Sequence, residues 1–358
     1  MENIAPALLA WFDQNKRLLP FRTDPSPYHV WVSEIMLQQT RVSAALPYYE
    51  RFVRELPTIP ALAACGEERL HKLWEGLGYY SRVRNLQKAA RIVCEQYGGE
   101  LPADYAALRA LPGIGDYTAG AIASISFGQA VPAVDGNVLR VFARLYNDPS
   151  CVSDPAVRRS FTARVMAHQP ADRPGSYNEA LMELGALVCL PGGEPLCGQC
   201  PLAALCGANR AGTQLELPVK TRPKPRRVEP VAVALVQSPE GWLLQRRPDT
   251  GLLAGLWQPV LWENKTFAAP EQMQQALAAL GVQTAALWGL PGRAAGAQPL
   301  PAAKHVFSHV EWHMGGWCFS APAQPLPEGF AWASRTRLEA EYTLPGAFKA
   351  YKKWMLNG

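Results

Sequence analysis

The sequence predicts a multi-domain protein, with an all-α region over residues 1–212 and an α+β, strand-rich domain over residues 230–358. Three observations predict it. The chain has 358 residues, which at about 100–200 residues per domain gives two domains or three. Apolar residues recur at helical spacing up to about residue 212 and alternate with period two after Pro230. Between these regions, residues 213–229 (TQLELPVKTRPKPRRVE) mix three prolines with five basic residues and lack a sustained apolar stripe, as an inter-domain connector does. A composition of 48% hydrophobic and 18% charged residues excludes disorder and fibrous repeats.

Along the first region, the stretch YHVWVSEIMLQQTRV places Val30, Ile35, Leu37 and Val42 on or near one buried stripe. Leu70, Leu73, Trp74 and Leu77 repeat the spacing, as do Leu86, Ala89, Ala90 and Val93, which Gly98-Gly99 stops. Leu111-Pro112-Gly113-Ile114-Gly115 before Tyr117–Ile122 reads as helix, tight glycine turn, helix. Gly113 and Gly115 let the backbone approach a ligand closely, and the second helix opens with free amides that suit a phosphate. Taken alone, a plain helical hairpin fits these residues as well. Asp135 stands just before the apolar periodic segment Val138-Leu139. The ordinary role of Asp there is a helix N-cap; it could also project into a cleft beside a developing positive charge.

In the second region Val231, Val233 and Leu235 alternate with small residues, and Ser238–Gly241 is a turn leading into Trp242-Leu243-Leu244, a β-hairpin pattern. A helix is expected over 271–280, stopped by Gly281, and strands over 304–310 and 312–319.

Of eight cysteines, Cys189, Cys197, Cys200 and Cys206 fall within eighteen residues, with gaps of seven, two and five. Four thiolates in one loop can enclose a metal centre. Zinc accepts such a set, as does an iron–sulfur cubane. Zinc sites usually come as two CxxC knuckles and only one close pair is present, so cluster ligation fits better. Cys65, Cys94, Cys151 and Cys318 are isolated and read as small hydrophobes. The N-terminus has no basic segment before its apolar stretch, so a secretory signal is not expected. The uncharged run 117–134 is broken by glycine, serine and proline and is a poor membrane span. The chain therefore reads as cytoplasmic, without a membrane partner.

The hairpin, the segment Val131-Pro132-Ala133-Val134-Asp135 and the four-cysteine loop together resemble the helix–hairpin–helix glycosylases of the endonuclease III superfamily. Trp31–Thr40 (WVSEIMLQQT) and Gly76–Arg82 (GLGYYSR) closely resemble the adenine DNA glycosylases of the MutY type, which remove adenine mispaired with 8-oxoguanine. The likeness runs along nearly the whole chain. It implies an all-α helix–hairpin–helix glycosylase domain with an iron–sulfur cluster loop, plus a C-terminal α+β Nudix-like domain that reads the oxidised base. It implies a [4Fe-4S] cluster on Cys189, Cys197, Cys200 and Cys206. The implied partner is double-stranded DNA with 8-oxoguanine·adenine or guanine·adenine mispairs, bound by a monomer associated with the nucleoid of a bacterial cell.

Breaking an N-glycosidic bond requires protonation of the leaving base and stabilisation of the sugar cation. Glu34, flanked by Trp31, Ile35 and Leu37, sits in an apolar setting that raises a carboxyl pKa, so it can protonate adenine at N7. Asp135, held ionised at a helix start, would face the oxocarbenium-like centre. The resemblance adds Tyr117, Asn137, Glu179 and Arg22 to the active site and places Gln39 and Tyr79 as wedges in the duplex, with Leu37 and Thr40 nearby. Phe307-Ser308-His309 matches the loop with which the family recognises 8-oxoguanine; taken alone, the trio reads as an ordinary strand end. Departures from the family include the first cysteine gap, seven residues instead of six, and Phe21 where tryptophan is common. Asp116-Tyr117 replaces the lysine of the lyase relatives, so no amine is at hand for Schiff-base chemistry and a monofunctional enzyme is expected. The alternative is a bifunctional glycosylase/lyase. The helix near Glu271 carries a single acid, so the C-terminal domain is expected to bind rather than hydrolyse.

Net charge is +5, yet residues 1–212 carry 20 basic and 20 acidic side chains. The excess lies in residues 213–229 (+3) and 230–358 (+2). A grip on DNA is therefore expected from local groups: amides near Gly113 and Gly115, arginines such as Arg82 and Arg84, and the connector.

Overall fold

A computed structural model describes residues 2–222, 224–284 and 297–357; Pro223 of the connector lies outside the described residues. The helices preceding the first strand are α1 (Ala5–Asn15), α2 (Pro20–Thr23), α3 (Pro27–Leu37), α4 (Val42–Glu55), α5 (Ile59–Ala64), α6 (Glu67–Trp74), α7 (Ser81–Tyr97), α8 (Tyr105–Arg109), α9 (Asp116–Phe127), α10 (Gly136–Leu145), α11 (Pro155–Met166), α12 (Pro174–Leu187) and α13 (Gly207–Ala211). Then follow β1 (Arg227–Ser238), β2 (Gly241–Arg246), β3 (Trp257–Gln258), β4 (Val260–Glu263), α14 (Pro270–Ala279), β5 (Gln298–Pro299), β6 (Ala303–Val306), β7 (Val310–Ser320), β8 (Phe330–Ala333), α15 (Arg335–Ala340) and α16 (Lys349–Asn357). No helix among the described residues is long and apolar enough to cross a membrane.

The chain divides into two compact units: Met1–Cys65 with Ser81–Pro223, and Gly66–Tyr80 with Lys224–Gly358. The first unit is helical. One core joins Leu8 and Phe12 of α1, Val138 and Phe142 of α10, and Tyr177 and Leu181 of α12. Helix α3 begins where Ser26 accepts a hydrogen bond from the His29 amide and Pro27 occupies the first helical position. The stripe does not continue to Val42. Gln39 takes a left-handed backbone (φ 58°), and Val42 starts α4 as a separate helix.

Arg82 is corrected from a phosphate-gripping role. It is 9% exposed, and its Nη1 donates to the carbonyls of Ile35 (3.0 Å), Met36 (2.9 Å) and Gln38 (2.6 Å). These are the carbonyls a helix end leaves without intrahelical partners. A buried cation beside them also complements the negative end of the helix dipole.

Between α8 and α9, Gly113 adopts φ +78°, and a Cβ there would lie 2.8 Å from Asn85 Cβ. Glycine is therefore required on both conformational and steric grounds. Gly115 caps α9. Asp135 caps α10, accepting from the amides of Asn137 (2.9 Å) and Val138 (2.8 Å).

The second unit contains a mixed sheet of order β3-β2-β1-β7-β5, to which β4 adds against β1, β6 against β7 and β8 against β2. β1 begins at Arg227, so the last residues of the expected connector pair in register with β7, in parallel, from Arg227↔Val310 onward. Alternation along β1 serves two cores. Val231, Val233 and Leu235 pack with Trp312, Met314, Phe348 and Tyr351, while Ala232, Ala234 and Val236 pack with Met273 and Leu277 of α14. The small residues between the large ones thus face a second buried layer, as expected for a strand covered on both faces. Phe307–His309 form the turn between the paired strands β6 and β7, closed by the Phe307 amide on Val310 O (2.8 Å).

Candidate active site and cysteine loop

A cleft of about 550 Å³ opens in the first unit, lined by Arg22, Glu34, Leu37, Thr40, Tyr117, Asp135, Asn137 and Glu179 among others. Residues from five helices, the cap of α10 and the loop after α3 thus meet, although they span more than 150 positions in sequence. Leu37, Tyr117 and Asp135 also border an open groove that continues past Gln39 and Gly115 to Arg158 and Arg159.

Glu34 is 8% exposed, and its Oε2 accepts from the Tyr117 hydroxyl at 2.6 Å. Burial pushes its carboxyl up to about 7; the Tyr117 bond opposes the shift, and Asp135 and Glu179 reinforce it. Asp135 is both N-cap and cleft residue. Burial raises its pKa, against the amide and side-chain hydrogen bonds that favour the carboxylate. The expectation that the helix start alone keeps it ionised therefore omits desolvation, the larger influence here. Asn137 Nδ2 donates to Asp135 Oδ2 (2.6 Å), and Asn137 Oδ1 accepts from Arg140 Nη2 (2.9 Å). Arg140 in turn donates to the carbonyls of Gly185 and Cys189, each at 2.8 Å.

Two residues that sequence reasoning did not single out complete the floor. Glu183 accepts from the Arg17 amide (3.0 Å), Arg17 Nε (2.8 Å), Arg17 Nη2 (2.7 Å) and Arg22 Nη2 (3.0 Å). Arg22 Nε also donates to Glu179 at 2.9 Å. Glu183 is buried, yet its hydrogen bonds from Arg17 and Arg22 overcome desolvation and hold its carboxyl down to about 2. Burial instead raises Glu179, against Arg22. A signal was available: Glu183 lies one helical turn beyond Glu179, hence on the same face of α12.

The remaining site residues belong to the second unit. Tyr79 is exposed and left-handed (φ 48°), between Gly78 (φ 70°) and the start of α7. Gln39 and Tyr79 are two of five non-glycine residues with positive φ among the described residues, a backbone state that costs energy and concentrates at functional sites. Phe307 packs edge-on against His305 (4.5 Å between ring centroids) and Trp312 (4.9 Å). Ser308 and His309 are exposed at the turn.

Cys189, Cys197, Cys200 and Cys206 line one cavity, together with Arg144, Gln214 and apolar side chains. Arg144 Nη1 lies 3.3 Å from Cys189 Sγ. Burial pushes the Cys200 thiol up to about 12 and raises Cys206, so thiolates there require positive charge nearby. No group of three His, Cys, Asp or Glu among the described residues is placed to hold a single metal ion.

Two family models match the chain. Residues 32–165 match the HhH-GPD superfamily of base excision DNA repair proteins, and residues 231–354 match the NUDIX domain. Adenine DNA glycosylase of Homo sapiens is 37% identical over 92% of this chain and 70% of its own length. The chain belongs to the adenine DNA glycosylase family. The Mus musculus adenine DNA glycosylase is 38% identical over 91% of the chain and 72% of its own. A solved thermostable thymine-DNA glycosylase superposes with a TM-score of 0.52 at 25% identity, covering 57% of this chain and 94% of that one. As an adenine DNA glycosylase, the protein serves base-excision repair by removing adenine through hydrolysis of an N-glycosyl bond. Its fold pairs the helix–hairpin–helix domain with a Nudix-like domain.

Proposed function

We propose that this adenine DNA glycosylase acts on adenine mispaired with 8-oxoguanine or guanine in double-stranded DNA, and that it is monofunctional. The observation that carries the chemistry is the Glu34 carboxyl, buried beside Tyr117 and held near neutrality in the cleft that also contains Asp135. Extrusion of the adenine, at a cost of a few kcal/mol, would bring it into this cleft, while Gln39 and Tyr79 fill the gap in the stack. Glu34 donates its proton to adenine N7 as the N9–C1′ bond breaks, so the bonding pair leaves with a neutral base. The Asp135 carboxylate faces the cationic C1′. Water then adds to C1′ and gives its proton to the Glu34 carboxylate, which restores the acid. Asn137 orients Asp135; Arg22 and Glu179 shape the adenine pocket.

Tyr117 supports the monofunctional reading. It stands where lyase relatives place lysine, and its hydroxyl is engaged by Glu34. No amine there can form a Schiff base.

In the second unit, Phe307-Ser308-His309 would read the oxidised base. Helix α14 has Glu271 as its only acid, so this unit binds without hydrolysing.

The four cysteines are proposed to hold a [4Fe-4S] cluster. Zinc accepts four thiolates around one centre, whereas a cubane gives each cysteine its own iron; the four cysteines line one cavity, and their spacing, with a single CxxC pair instead of two, favours the cluster. A bound cluster cross-links the loop and supplies the positive iron centres that the buried thiolates require. The enzyme is proposed to act as a monomer in the cytoplasm, at the nucleoid.

Single-turnover release of adenine from duplexes containing one 8-oxoguanine·adenine pair, one guanine·adenine pair or only adenine·thymine tests the reading. Release is expected from the first two alone, with strands nicked only after alkali or heat. Release from adenine·thymine, or nicking as fast as release, would overturn it.

A further inference from the structure

Helix α6 and the turn after it belong to the compact unit that contains the sheet, and polar side chains fasten them there. Glu67 accepts from Arg246 Nη2 of β2 at 3.0 Å. Glu68 accepts from Trp257 Nε1 of β3 at 3.0 Å. Lys72 Nζ donates to the carbonyls of Leu338 (3.4 Å) and Tyr342 (3.3 Å). Glu75 lies between Lys72 (2.7 Å) and Lys352 of α16 (2.6 Å), all three being half-buried. From the far end of this segment, Tyr79 Oη meets Ser308 Oγ at 3.3 Å.

These contacts reach β2, β3, α16 and the segment around α15 from one short helix. The two acids occupy the first turn of α6 and the lysine its last, as the helix dipole favours. An isolated surface ion pair such as Glu67–Arg246 contributes little, but the half-buried cluster of Lys72, Glu75 and Lys352 fixes geometry.

We propose that α6 is a rigid link through which the turn Phe307–His309 sets the position of Tyr79, and that the clamp of Glu67, Glu68, Lys72 and Glu75 thereby determines discrimination between 8-oxoguanine·adenine and guanine·adenine pairs. This rests on the proposed roles of that turn as reader and of Tyr79 as wedge. Engagement of the oxidised base by Ser308 shifts its contact with Tyr79. The clamp prevents α6 from absorbing that shift, so it is transmitted to the duplex. None of the clamp residues touches the cleft where adenine is cleaved, so loss of the clamp removes discrimination and spares the basal reaction.

The test is single-turnover adenine release by the full-length holoenzyme from 8-oxoguanine·adenine and guanine·adenine duplexes of one sequence. The Glu67→Gln/Glu75→Gln double variant is expected to lower the ratio of the two rates about tenfold or more, with the guanine·adenine rate unchanged. The charge-swapped Glu67→Arg/Arg246→Glu variant is expected to keep a ratio close to that of the parent, and its guanine·adenine rate reports that it folds. A Phe307→Ala/Ser308→Ala variant tests the reader itself. If that variant loses the ratio while Glu67→Gln/Glu75→Gln keeps it, the clamp has no such role. If the clamp variant loses both rates equally, its role is general stability and the proposal fails. If the Phe307/Ser308 variant keeps the ratio, the reading of the turn is wrong and the inference falls with it.

Discussion

The Tyr117 hydroxyl donates to Glu34 Oε2 across 2.6 Å inside the cleft. This bond opposes the burial that raises Glu34, so Tyr117 sets how acidic the proton donor is. Glu34 must be protonated to act, and its proton is lost as pH rises through about 7. Adenine release should therefore decline on an alkaline limb near pH 7. Removal of the hydroxyl in Tyr117→Phe takes away a bond that favours the carboxylate, so the limb should move to higher pH. Single-turnover rates measured from pH 5 to 9 should fall about tenfold per pH unit above the limb; a limb moved to lower pH in Tyr117→Phe would show that the bond acts in the opposite sense.

Opposite shifts at Glu34 and Glu183 give stability two windows. The Glu183 carboxyl is held down to about 2, so its contribution is present above the ordinary glutamate pKa of about 4.5 and is lost as pH falls toward 2. Glu34 is raised to about 7, so its neutral form contributes below the ordinary value and that contribution is lost as pH rises toward 7. Glu183→Ala leaves Arg17 and Arg22 without their shared carboxylate and should cost about 3–5 kcal/mol. Denaturation of the variants against pH should show the acid-side slope reduced in Glu183→Ala and the neutral-side slope reduced in Glu34→Gln.

Arg140 holds Asn137 by one nitrogen and the carbonyls of Gly185 and Cys189 with the same fork. In Arg140→Met, Asn137 loses its support and the carboxylate of Asp135 is less well aimed. kcat should fall about 100-fold, the effect of roughly an ångström of misplacement, with little change in KM. A rise in KM at constant kcat would assign Arg140 to DNA binding instead.

Much of the site could be read from local sequence because local chemistry fixes it. Asp135 before an apolar run is a cap by residue type, and the cap position is also what aims its carboxylate into the cleft. The cysteine spacing likewise announces a shared loop. The Arg17–Glu183 pairing is not legible, because its partners are 166 positions apart and nothing local to the segment after α1 or to α12 points from one to the other. Arg82 was misread for a related reason. An arginine beside a glycine-rich segment has the composition of a phosphate contact, and only the fold shows that it caps the carbonyls ending α3. The period of α6 correctly marks a helix, but periodicity does not say which unit an apolar face packs on. Gly66–Tyr80 belongs to the sheet-bearing unit, where its polar partners come from residues as distant in sequence as Arg246, Trp257 and Lys352.

The division of labour between Glu34 and Asp135 is tested most directly by single-turnover adenine release with Glu34→Gln on a duplex carrying one 8-oxoguanine·adenine pair. The amide is nearly isosteric, cannot supply the proton, and leaves the Arg22–Glu179 contact in place. The account predicts binding within a few-fold of the parent and release slowed by at least about 100-fold, the share expected of a positioned general acid. Release at the parental rate would contradict it.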